Sequence, residues 1–417
     1  MSKKRFIILC LIVVLFLSYN FTLITLNKQD KLVIQKKASF KSSGYWILNS
    51  IIIDNTGGGD YTWAEAAAED WCSGTGTWSD PFVIENVTIN ANNTGSALLI
   101  RNSDVYFRIE NCTLYNSGPL WGDAGISLDN AKKGYLVRNK CSFNNENGIY
   151  VSYSSHNTTI ESNIMNNNTA YGLHIFFSNE SSIISNHVNY NGRGLRIYDC
   201  INHLVLNNNF TFNIEYGIHM DNYINFTIVK QNNCSNNGLE GINVGRGYNN
   251  TITQNTVDKN YYGIYLSDSL NQTIKNNNIS GNTEYGILSH GSNYNTFSNN
   301  KVRNNTLNGL DFRDTCNHNS IYDNEIYNNQ GYGFFIYPTC NYNLIYANYF
   351  YDNNVNAFDS GGNNEWDNGI LGNYWDDYDG LDSNGDGIGD SPYLIPGGSG
   401  AQDNSPIVKL YEVPGVE

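Results

Sequence analysis

Residues 282–300 read NTEYGILSHGSNYNTFSNN, and the same phrase recurs with changed letters through most of the 417-residue chain. Asparagines in the frame N-x-φ-x-x-N recur every 22–24 residues from Asn139 to Asn348, after a first gap of 28 residues from Asn111. Two registers that share one period indicate a solenoid. The second register consists of glycines that precede an apolar residue, here called the repeat glycines: Gly125, Gly148, Gly172, Gly194, Gly217, Gly241, Gly263, Gly286, Gly309 and Gly333.

Inside each unit the apolar residues alternate, as Ile149 and Val151 do after Gly148. Alternation with period two is typical of strands that bury one face. No helical 3.6-residue pattern occurs between residues 81 and 353. Each unit therefore holds three short strands, and the sequence predicts an all-β parallel β-helix of about 11 coils of 22–24 residues. Strands of adjacent coils should then lie about 4.8 Å apart.

The recurring asparagines and glycines are interpreted as architecture. Asparagine tolerates left-handed backbone angles in tight turns and can hydrogen-bond to the copies above and below it. Glycine suits positions where a side chain would clash or where φ is positive. A second polar column is predicted five residues before the repeat asparagine: Asn250, Gln272, Asn295, Asn319 and Asn343.

The repeats at 81–353 are flanked by three other segments. Residues 1–28 are predicted to be a signal peptide or an N-terminal membrane anchor, 29–80 a linker and cap, and 354–417 a C-terminal cap rich in Asp and Gly. The stretch GGGDYTWAEAAAEDW at 57–71 predicts a helical cap with Asp60 as the N-cap. Beyond the last repeat, Ala357 is expected at the glycine position.

The N-terminus carries the features of an export segment. Lys3, Lys4 and Arg5 precede an unbroken apolar run at residues 6–17. Extended to residue 26 the segment is long enough to span a bilayer, so a retained anchor and a cleaved signal both remain open. Either reading places the rest of the chain outside the cytoplasm. A net charge of −15 disfavours nucleic acid as a partner, because nucleic acid attracts a basic field.

The entry segment GTGTWSDPFVIENVTI (74–89), the repeats and the exit segment GNYWDDYDGLDSNGDGIGDSPYLIPG (372–397) together resemble the NosD-like parallel β-helix proteins. This resemblance implies a right-handed β-helix and an exported location. The family name also implies periplasmic copper handling. Copper prefers clustered imidazole, thiolate or thioether ligands, and seven His and three Met in the whole chain disfavour such a site.

Positions two and four after the repeat glycines are expected to form a flat outward strip. Aromatic faces beside charged hydrogen-bonding groups suit sugar rings. Arg196, His219 and Asp221 could also perform acid–base chemistry, although no catalytic residue is assigned. The candidate substrate-binding residues are His174, Phe176, Arg196, Tyr198, His219 and Asp221.

The exit segment contains a motif of the kind that binds calcium. Asp382, Asn384, Asp386 and Asp390 follow the D-x-N-x-D-G pattern of an EF-hand loop, but Tyr393 replaces the bidentate acid at position 12. A structural Ca²⁺ ion at these four residues is the predicted cofactor.

Cys316 and Cys340 are expected to stack on adjacent coils, within reach of a disulfide bond. A column of free buried thiols is the alternative, and spacing alone leaves both open.

The sequence therefore supports one main hypothesis and two alternatives. The main hypothesis is an exported, membrane-anchored, non-catalytic surface protein that binds glycans. The alternatives are a carbohydrate-active polysaccharide lyase or glycoside hydrolase, and periplasmic copper handling.

Overall fold

The computed structural model describes residues 45–408, and parallel β-structure dominates this part of the chain. The largest sheets contain thirteen strands each, stacked in chain order. Sheet I carries the repeat glycines, and its strands are Ile51–Asp54, Leu98–Ser103, Ala124–Ala131, Asn147–Ser152, Tyr171–Phe176, Arg193–Tyr198, Ile218–Asp221, Glu240–Gly245, Tyr262–Ser267, Ile287–His290, Leu310–Arg313, Tyr332–Ile336 and Val355–Asp359.

Sheet II precedes the repeat asparagines in each coil. Its first two strands pair antiparallel and all later ones pair parallel. Its strands are Cys72–Ser73, Phe82–Glu85, Phe107–Glu110, Gly134–Val137, Thr159–Glu161, Ser182–Ile184, Leu204–Leu206, Ile228–Lys230, Thr251–Thr253, Thr273–Lys275, Thr296–Ser298, Ser320–Tyr322 and Leu344–Tyr346.

Sheet III follows the repeat asparagines and is split into four and six strands. Single-residue bridges at Ile164, His187, Asn209 and Asn233 join the two parts. Its strands are Trp46–Leu48, Val87–Asn90, Thr113–Tyr115 and Lys140–Cys141, then Thr256–Asp258, Asn278–Ser280, Lys301–Arg303, Glu325–Tyr327, Tyr349–Tyr351 and Tyr374–Trp375. A separate antiparallel pair, Tyr393–Leu394 with Gln402–Asp403, follows the coils.

One face of every coil points into a continuous apolar interior. Ile149, Leu173 and Leu195 occupy one register on consecutive strands of sheet I, and all three are fully buried. Ile160 and Ile183 do the same in sheet II. Each such side chain contributes roughly 1.5–3 kcal/mol by burial. The predicted period-two strands, and with them the all-β parallel β-helix, are confirmed.

The repeat asparagines form a hydrogen-bonded ladder. Asn277 donates its backbone N–H and its Nδ2–H to Oδ1 of Asn300, each at 3.0 Å. Nδ2 of Asn300 in turn donates to Oδ1 of Asn324 at 2.9 Å. The predicted ladder is confirmed, but the expected left-handed backbone is one residue out of register. Asn299, not Asn300, has a φ of 54°.

Two further polar ladders run parallel to the first. The predicted column five residues earlier is present, since Asn319 Nδ2 donates to Asn343 Oδ1 at 2.9 Å. A column five residues later, from Asn144 to Asn353, was not predicted from the sequence. There Asn282 Nδ2 donates to Asn305 Oδ1 at 2.9 Å.

Close packing explains the repeat glycines. A Cβ on Gly194 would lie 2.3 Å from the carbonyl oxygen of Gly217 and 3.0 Å from Nδ2 of Asn213. Asn213 belongs to the ladder five residues after the repeat asparagine. The glycines are therefore required by the approach of the next coil, and none of the ten has a positive φ.

Cys316 and Cys340 belong to a column of small polar side chains. The backbone N–H of Cys316 donates to Sγ of Cys340 at 3.3 Å. On earlier coils, Ser269 donates its backbone N–H to Oγ of Ser292 in the same way. Both cysteines are buried free thiols in this structure, which agrees with the second of the two alternatives.

The expected helix before the coils is short and starts later than predicted. Helix α1 spans Trp63–Ala66, and its N-cap is Thr62, which forms a capping box with Glu65. Asp60 instead accepts a hydrogen bond from the backbone N–H of Ile52 at 2.8 Å. Thr62 is the better cap because Glu65 stands three residues after it and returns the hydrogen bond.

Parallel pairing begins at Trp46–Leu48 and continues to Tyr374–Trp375. In the last strand of sheet I, Ala357 pairs with Phe334, so Asn356 stands opposite the last repeat glycine. The expectation that Ala357 takes the glycine position is therefore wrong by one residue. Within residues 45–408 no helix is long and apolar enough to cross a membrane. The predicted signal or anchor at residues 1–28 lies outside the described residues.

Candidate functional site

Sheet I brings all six predicted binding residues together on three consecutive coils. His174, Arg196 and His219 pair in one register, and Phe176, Tyr198 and Asp221 pair in another. The name "outer face" is used below for the solvent side of sheet I around these residues. Besides the predicted six it includes Trp121, Tyr150, Tyr171, Arg193 and Glu240.

This outer face is not the exposed flat strip that the sequence predicts. His174 is only 1% exposed. The Trp121 ring packs edge-on against the imidazole with centroids 5.2 Å apart, and the Tyr171 ring lies 4.6 Å from it on another side. His174 is therefore the floor of a site with aromatic walls.

Trp121 belongs to the loop 116–123, which extends over sheet I. Leu120 and Trp121 are themselves 72% and 57% exposed. The Trp121 ring also contacts Tyr150 and Phe176, with centroids 6.4 and 6.1 Å apart. Trp121 was not predicted from the sequence. The signal available was the first asparagine gap of 28 residues, which leaves several residues more than a standard coil requires.

A third outward column lies directly before the repeat glycines. Tyr171 contacts His174, although strict period-two alternation would place residues three apart on opposite faces. The backbone at the glycine shifts the alternation by one residue, so that both side chains point outward. This column was also missed, and it contributes Tyr171, Arg193, Tyr216, Glu240, Tyr262 and Tyr285.

Arg196 differs from the other arginines of sheet I. Arg101 lies 2.8 Å from the carboxylate of Asp54, Arg193 is bidentate with Glu215 at 2.7 and 2.8 Å, and Arg313 is bidentate with Asp311 at 2.5 and 3.2 Å. The nearest carboxylate oxygen to Arg196 is Oδ2 of Asp221, at 3.9 Å.

Rings, and not carboxylates, surround the Arg196 guanidinium. It lies 4.8 Å from the Tyr198 ring centroid and 5.9 Å from that of Tyr171, whose hydroxyl accepts a hydrogen bond from Nη1 at 3.3 Å. The side chain is 18% exposed, and its Nε is buried.

Several buried polar atoms of the outer face lack a hydrogen-bond partner among the described residues. They are Tyr150 Oη, His174 Nε2, Arg196 Nε and Glu240 Oε2, and Asn147 Oδ1, which precedes a repeat glycine on the same sheet, is a fifth. A buried unpaired polar atom costs roughly 1–3 kcal/mol, and natural proteins keep few of them. Their concentration on one face marks it as a place where a ligand can supply the missing partners.

The imidazoles of this face are neutral at physiological pH. Burial, together with the charges of Arg196 and Arg193, lowers the pKa of His174 to about 3. Burial also lowers the pKa of His219 to about 4, opposed by the charge of Asp221. Arg196 is therefore the one fixed positive charge in the column His174–Arg196–His219.

Next to this column is a shallow pocket of about 270 Å³. His219 and two carboxylates, Asp221 and Asp268, line it together with Asn243, Arg246 and Tyr265. Glu240 does not line this pocket, and burial raises the pKa of its carboxyl.

The loop 382–390 brings the four predicted calcium ligands into one turn. Asp382 accepts hydrogen bonds from the backbone N–H groups of Gly385, Asp386 and Gly387 at 2.7–3.1 Å. Asp390 accepts one from Ser383 at 2.9 Å. The carboxylates thus point at backbone N–H groups and not at a common position, and calcium binding stays a prediction.

The protein is a parallel β-helix in which sheet I carries the candidate site on its outer face. The profile of a family described as "Periplasmic copper-binding protein (NosD)" matches residues 48–238 and 222–380. The chain belongs to the NosD family. The periplasmic location in that description agrees with the predicted location outside the cytoplasm. No curated protein matches the chain.

Solved structures of similar fold have low sequence identity to this chain. The Azotobacter vinelandii mannuronan C-5 epimerase AlgE4 A-module has 15% identity and a TM-score of 0.49, with 66% of this chain and 83% of that chain covered. The periplasmic alginate epimerase AlgG has 13% identity and a TM-score of 0.42, with 76% and 81% covered. PfbA, a surface adhesin of Streptococcus pneumoniae, has 10% identity and a TM-score of 0.34, with 68% and 83% covered. Similarity at this level says nothing about the ligand of the present chain.

The copper implied by the family description does not fit the donors of the described residues. Met165 and Met220 are fully buried in the apolar core. His174 and His219 are separated by the coil that carries Arg196. Between residues 45 and 408, no three His, Cys, Asp or Glu side chains converge on a metal position.

Proposed function

We propose that this chain is an exported, membrane-anchored β-helix protein that binds glycans without catalysis on the outer face of sheet I. The observation that carries the proposal is the combination of aromatic walls with unpaired buried polar atoms on that face. Sugar rings present apolar faces and many hydroxyl groups. They can therefore pack on aromatic side chains and form hydrogen bonds with unpaired donors and acceptors at the same time. The anchor rests on the N-terminal sequence alone.

The rings beside the polar column support a binding platform. Tyr198 and Phe176 are stacked with ring centroids 5.3 Å apart, on neighbouring coils, and the Trp121 ring lies 6.1 Å from that of Phe176. Together the three rings form an apolar wall along the edge of the polar column.

The test is a glycan array probed with the purified full-length chain and two tyrosine variants. Tyr198→Ala removes one wall of the site, and we expect it to weaken binding at least tenfold. Tyr342→Ala is the control, because Tyr342 stacks on a neighbouring ring as Tyr198 does but lies on a turn beside sheet II, where it is 56% exposed. We expect Tyr342→Ala to bind as the wild type does, and circular dichroism checks that both variants are folded.

Three outcomes would count against the proposal. Failure to bind any glycan would refute it, and so would equal binding by wild type and Tyr198→Ala. Release of product from a polysaccharide, lost in both Arg196→Ala and Asp221→Ala, would replace it with the lyase or hydrolase alternative.

A structural calcium ion is a second, separate proposal, supported by the D-x-N-x-D-G sequence pattern of Asp382, Asn384 and Asp386, with Asp390 in the same loop. We expect Ca²⁺ to raise the Tm of the chain relative to EDTA, because oxygen ligands from alternate residues suit this ion. Asp386→Asn should reduce that rise. Equal Tm values in Ca²⁺ and EDTA would contradict the proposal.

A further inference from the structure

We infer that the glycan is an acidic polysaccharide and that Arg196 binds the carboxylate of one of its uronic-acid residues. This inference rests on the proposed glycan-binding function and specifies its ligand class. The four arginines of sheet I differ in whether a carboxylate of the chain is hydrogen-bonded to them. Three of them receive a carboxylate from the chain itself, whereas Arg196 has none within hydrogen-bond distance.

The chemistry of the guanidinium selects the ligand group. A planar guanidinium pairs with a carboxylate through two parallel hydrogen bonds, which are stronger than bonds between neutral groups. Nε of Arg196 is buried and unpaired, and the side chain as a whole is 18% exposed. A ligand carboxylate that reaches Nε and Nη2 would complete for Arg196 the pairing that Glu215 provides for Arg193.

The surroundings of Arg196 fit the rest of a sugar residue. The Tyr198 ring lies 4.8 Å from the guanidinium, and the Phe176 ring is stacked against Tyr198 on the preceding coil. A pyranose ring whose carboxylate reaches Arg196 can therefore pack on these rings. On the same coil as Phe176, His174 has a buried, unpaired Nε2 that suits a hydroxyl group.

The net charge of −15 does not exclude an acidic glycan as the ligand. At physiological ionic strength charges are screened beyond about 8 Å, so the groups in direct contact determine the interaction. Those groups are Arg196, the imidazoles of His174 and His219, and Asp221. Both imidazoles are neutral at physiological pH, and the nearest oxygen of Asp221 is 3.9 Å from the guanidinium.

The experiment compares uronic-acid oligosaccharides with their carboxyl-reduced counterparts at 0.15 M salt. The probes are oligomers of galacturonate, glucuronate, mannuronate and guluronate, each paired with the neutral oligomer made by reducing its carboxylates. We expect at least one acidic oligomer to bind the full-length chain at least tenfold more tightly than its reduced counterpart.

Two variants localise the effect. Arg196→Gln should remove the preference for the acidic oligomer, because loss of a charged hydrogen-bonding partner typically costs a tenfold factor or more. Arg303→Gln is the matched control, since Arg303 also packs over a tyrosine ring but lies in sheet III. It removes the same charge and should leave the preference intact. Arg196→Lys keeps the charge without the planar fork and should retain part of the preference.

A second readout is the titration of His174 and His219 by NMR. The charge of Arg196 contributes to lowering both pKa values, so a bound carboxylate should raise them. A bound neutral oligomer offers no charge to offset that of Arg196.

The outcomes separate this inference from the proposed function. Equal binding of acidic and reduced oligomers, or tighter binding of neutral glycans, would overturn the inference and leave glycan binding in place. A preference for sulfated over carboxylated sugars would also overturn it, as would equal losses in Arg196→Gln and Arg303→Gln. Absence of binding to every glycan would overturn both.

Discussion

Asn300 illustrates how much structure a single ladder residue supports. Its side chain accepts two hydrogen bonds from Asn277 and donates one each to Asn324 and to the carbonyl oxygen of Ile274. The residue is 0% exposed, so no water can replace these partners. The primary amide is the one side chain that offers an acceptor and two donors in this arrangement.

We therefore predict that Asn300→Ala lowers the free energy of unfolding by about 3–6 kcal/mol, since several buried groups lose a partner at roughly 1–3 kcal/mol each. Urea unfolding followed by circular dichroism measures the change.

Asn299→Gly serves as the matched variant at the preceding residue. Asn299 is exposed and has a φ of 54°, a conformation that glycine adopts without strain. We expect this substitution to change stability by less than about 1 kcal/mol. Similar losses at both positions would show that the turn, and not the ladder, provides the stability.

At the scale of the element, the repeat glycine fixes how closely two strands of sheet I approach. We predict that Gly194→Ala destabilises the protein by more than about 2 kcal/mol, because its Cβ would lie 2.3 Å from the carbonyl oxygen of Gly217. Thermal unfolding measures the effect.

Gly245 provides a comparison within the same sheet. The nearest atom to a Cβ at this position is Oδ1 of Asp221, at 3.2 Å, and the side chain of Asp221 can move. Gly245→Ala should therefore change stability by less than about 1 kcal/mol. A large loss at Gly245, or none at Gly194, would contradict the close-approach explanation.

The strands themselves were predictable because alternation and period are local properties of the sequence. The inward positions of Ile149, Leu173 and Leu195 follow from period two alone. The outward position of Tyr171 does not, because the strand shifts its alternation at the glycine. That shift depends on contact with the next coil, which no single repeat encodes.

At the scale of the whole molecule, the candidate site could be predicted only in part. The repeat register places His174, Arg196 and His219 side by side, and pairing in sheet I agrees with that prediction. Trp121, which packs on His174, precedes it by 53 residues in the sequence. Its position depends on the path of the irregular loop 116–123. The lack of a carboxylate hydrogen-bonded to Arg196 depends on the folded sheet, in which Asp54, Glu215 and Asp311 reach the other three arginines.

At the scale of the whole molecule, His203 and Asp403 make opposing contributions to the pH dependence of stability. Burial lowers the pKa of His203 to about 4, whereas an unfolded histidine titrates near 6.5. Between these values the unfolded state binds more protons, so this group destabilises the fold as pH falls. Burial raises the pKa of Asp403 to about 6, so its folded form binds a proton first and stability rises as pH falls below 6.

A variant at His203 isolates one contribution from this sum. His203 occupies the polar column five residues before a repeat asparagine, where its Nδ1 accepts the backbone N–H of Ser181 at 3.2 Å. Asparagine fills the equivalent position at Asn250 and accepts the backbone N–H of Thr227 at 2.9 Å. His203→Asn should therefore preserve the hydrogen bond and remove the titrating group.

We predict that lowering the pH from 7 to 5 stabilises His203→Asn relative to the wild type by about 2 kcal/mol, the amount expected when one histidine protonates only in the unfolded state. Denaturant unfolding of both proteins at half-unit pH steps measures the difference, in which the contribution of Asp403 cancels. Parallel stability profiles of the two proteins would show that the imidazole of His203 takes up its proton in the folded state as well. The buried column would then admit a charge, contrary to the burial that lowers the pKa of His203.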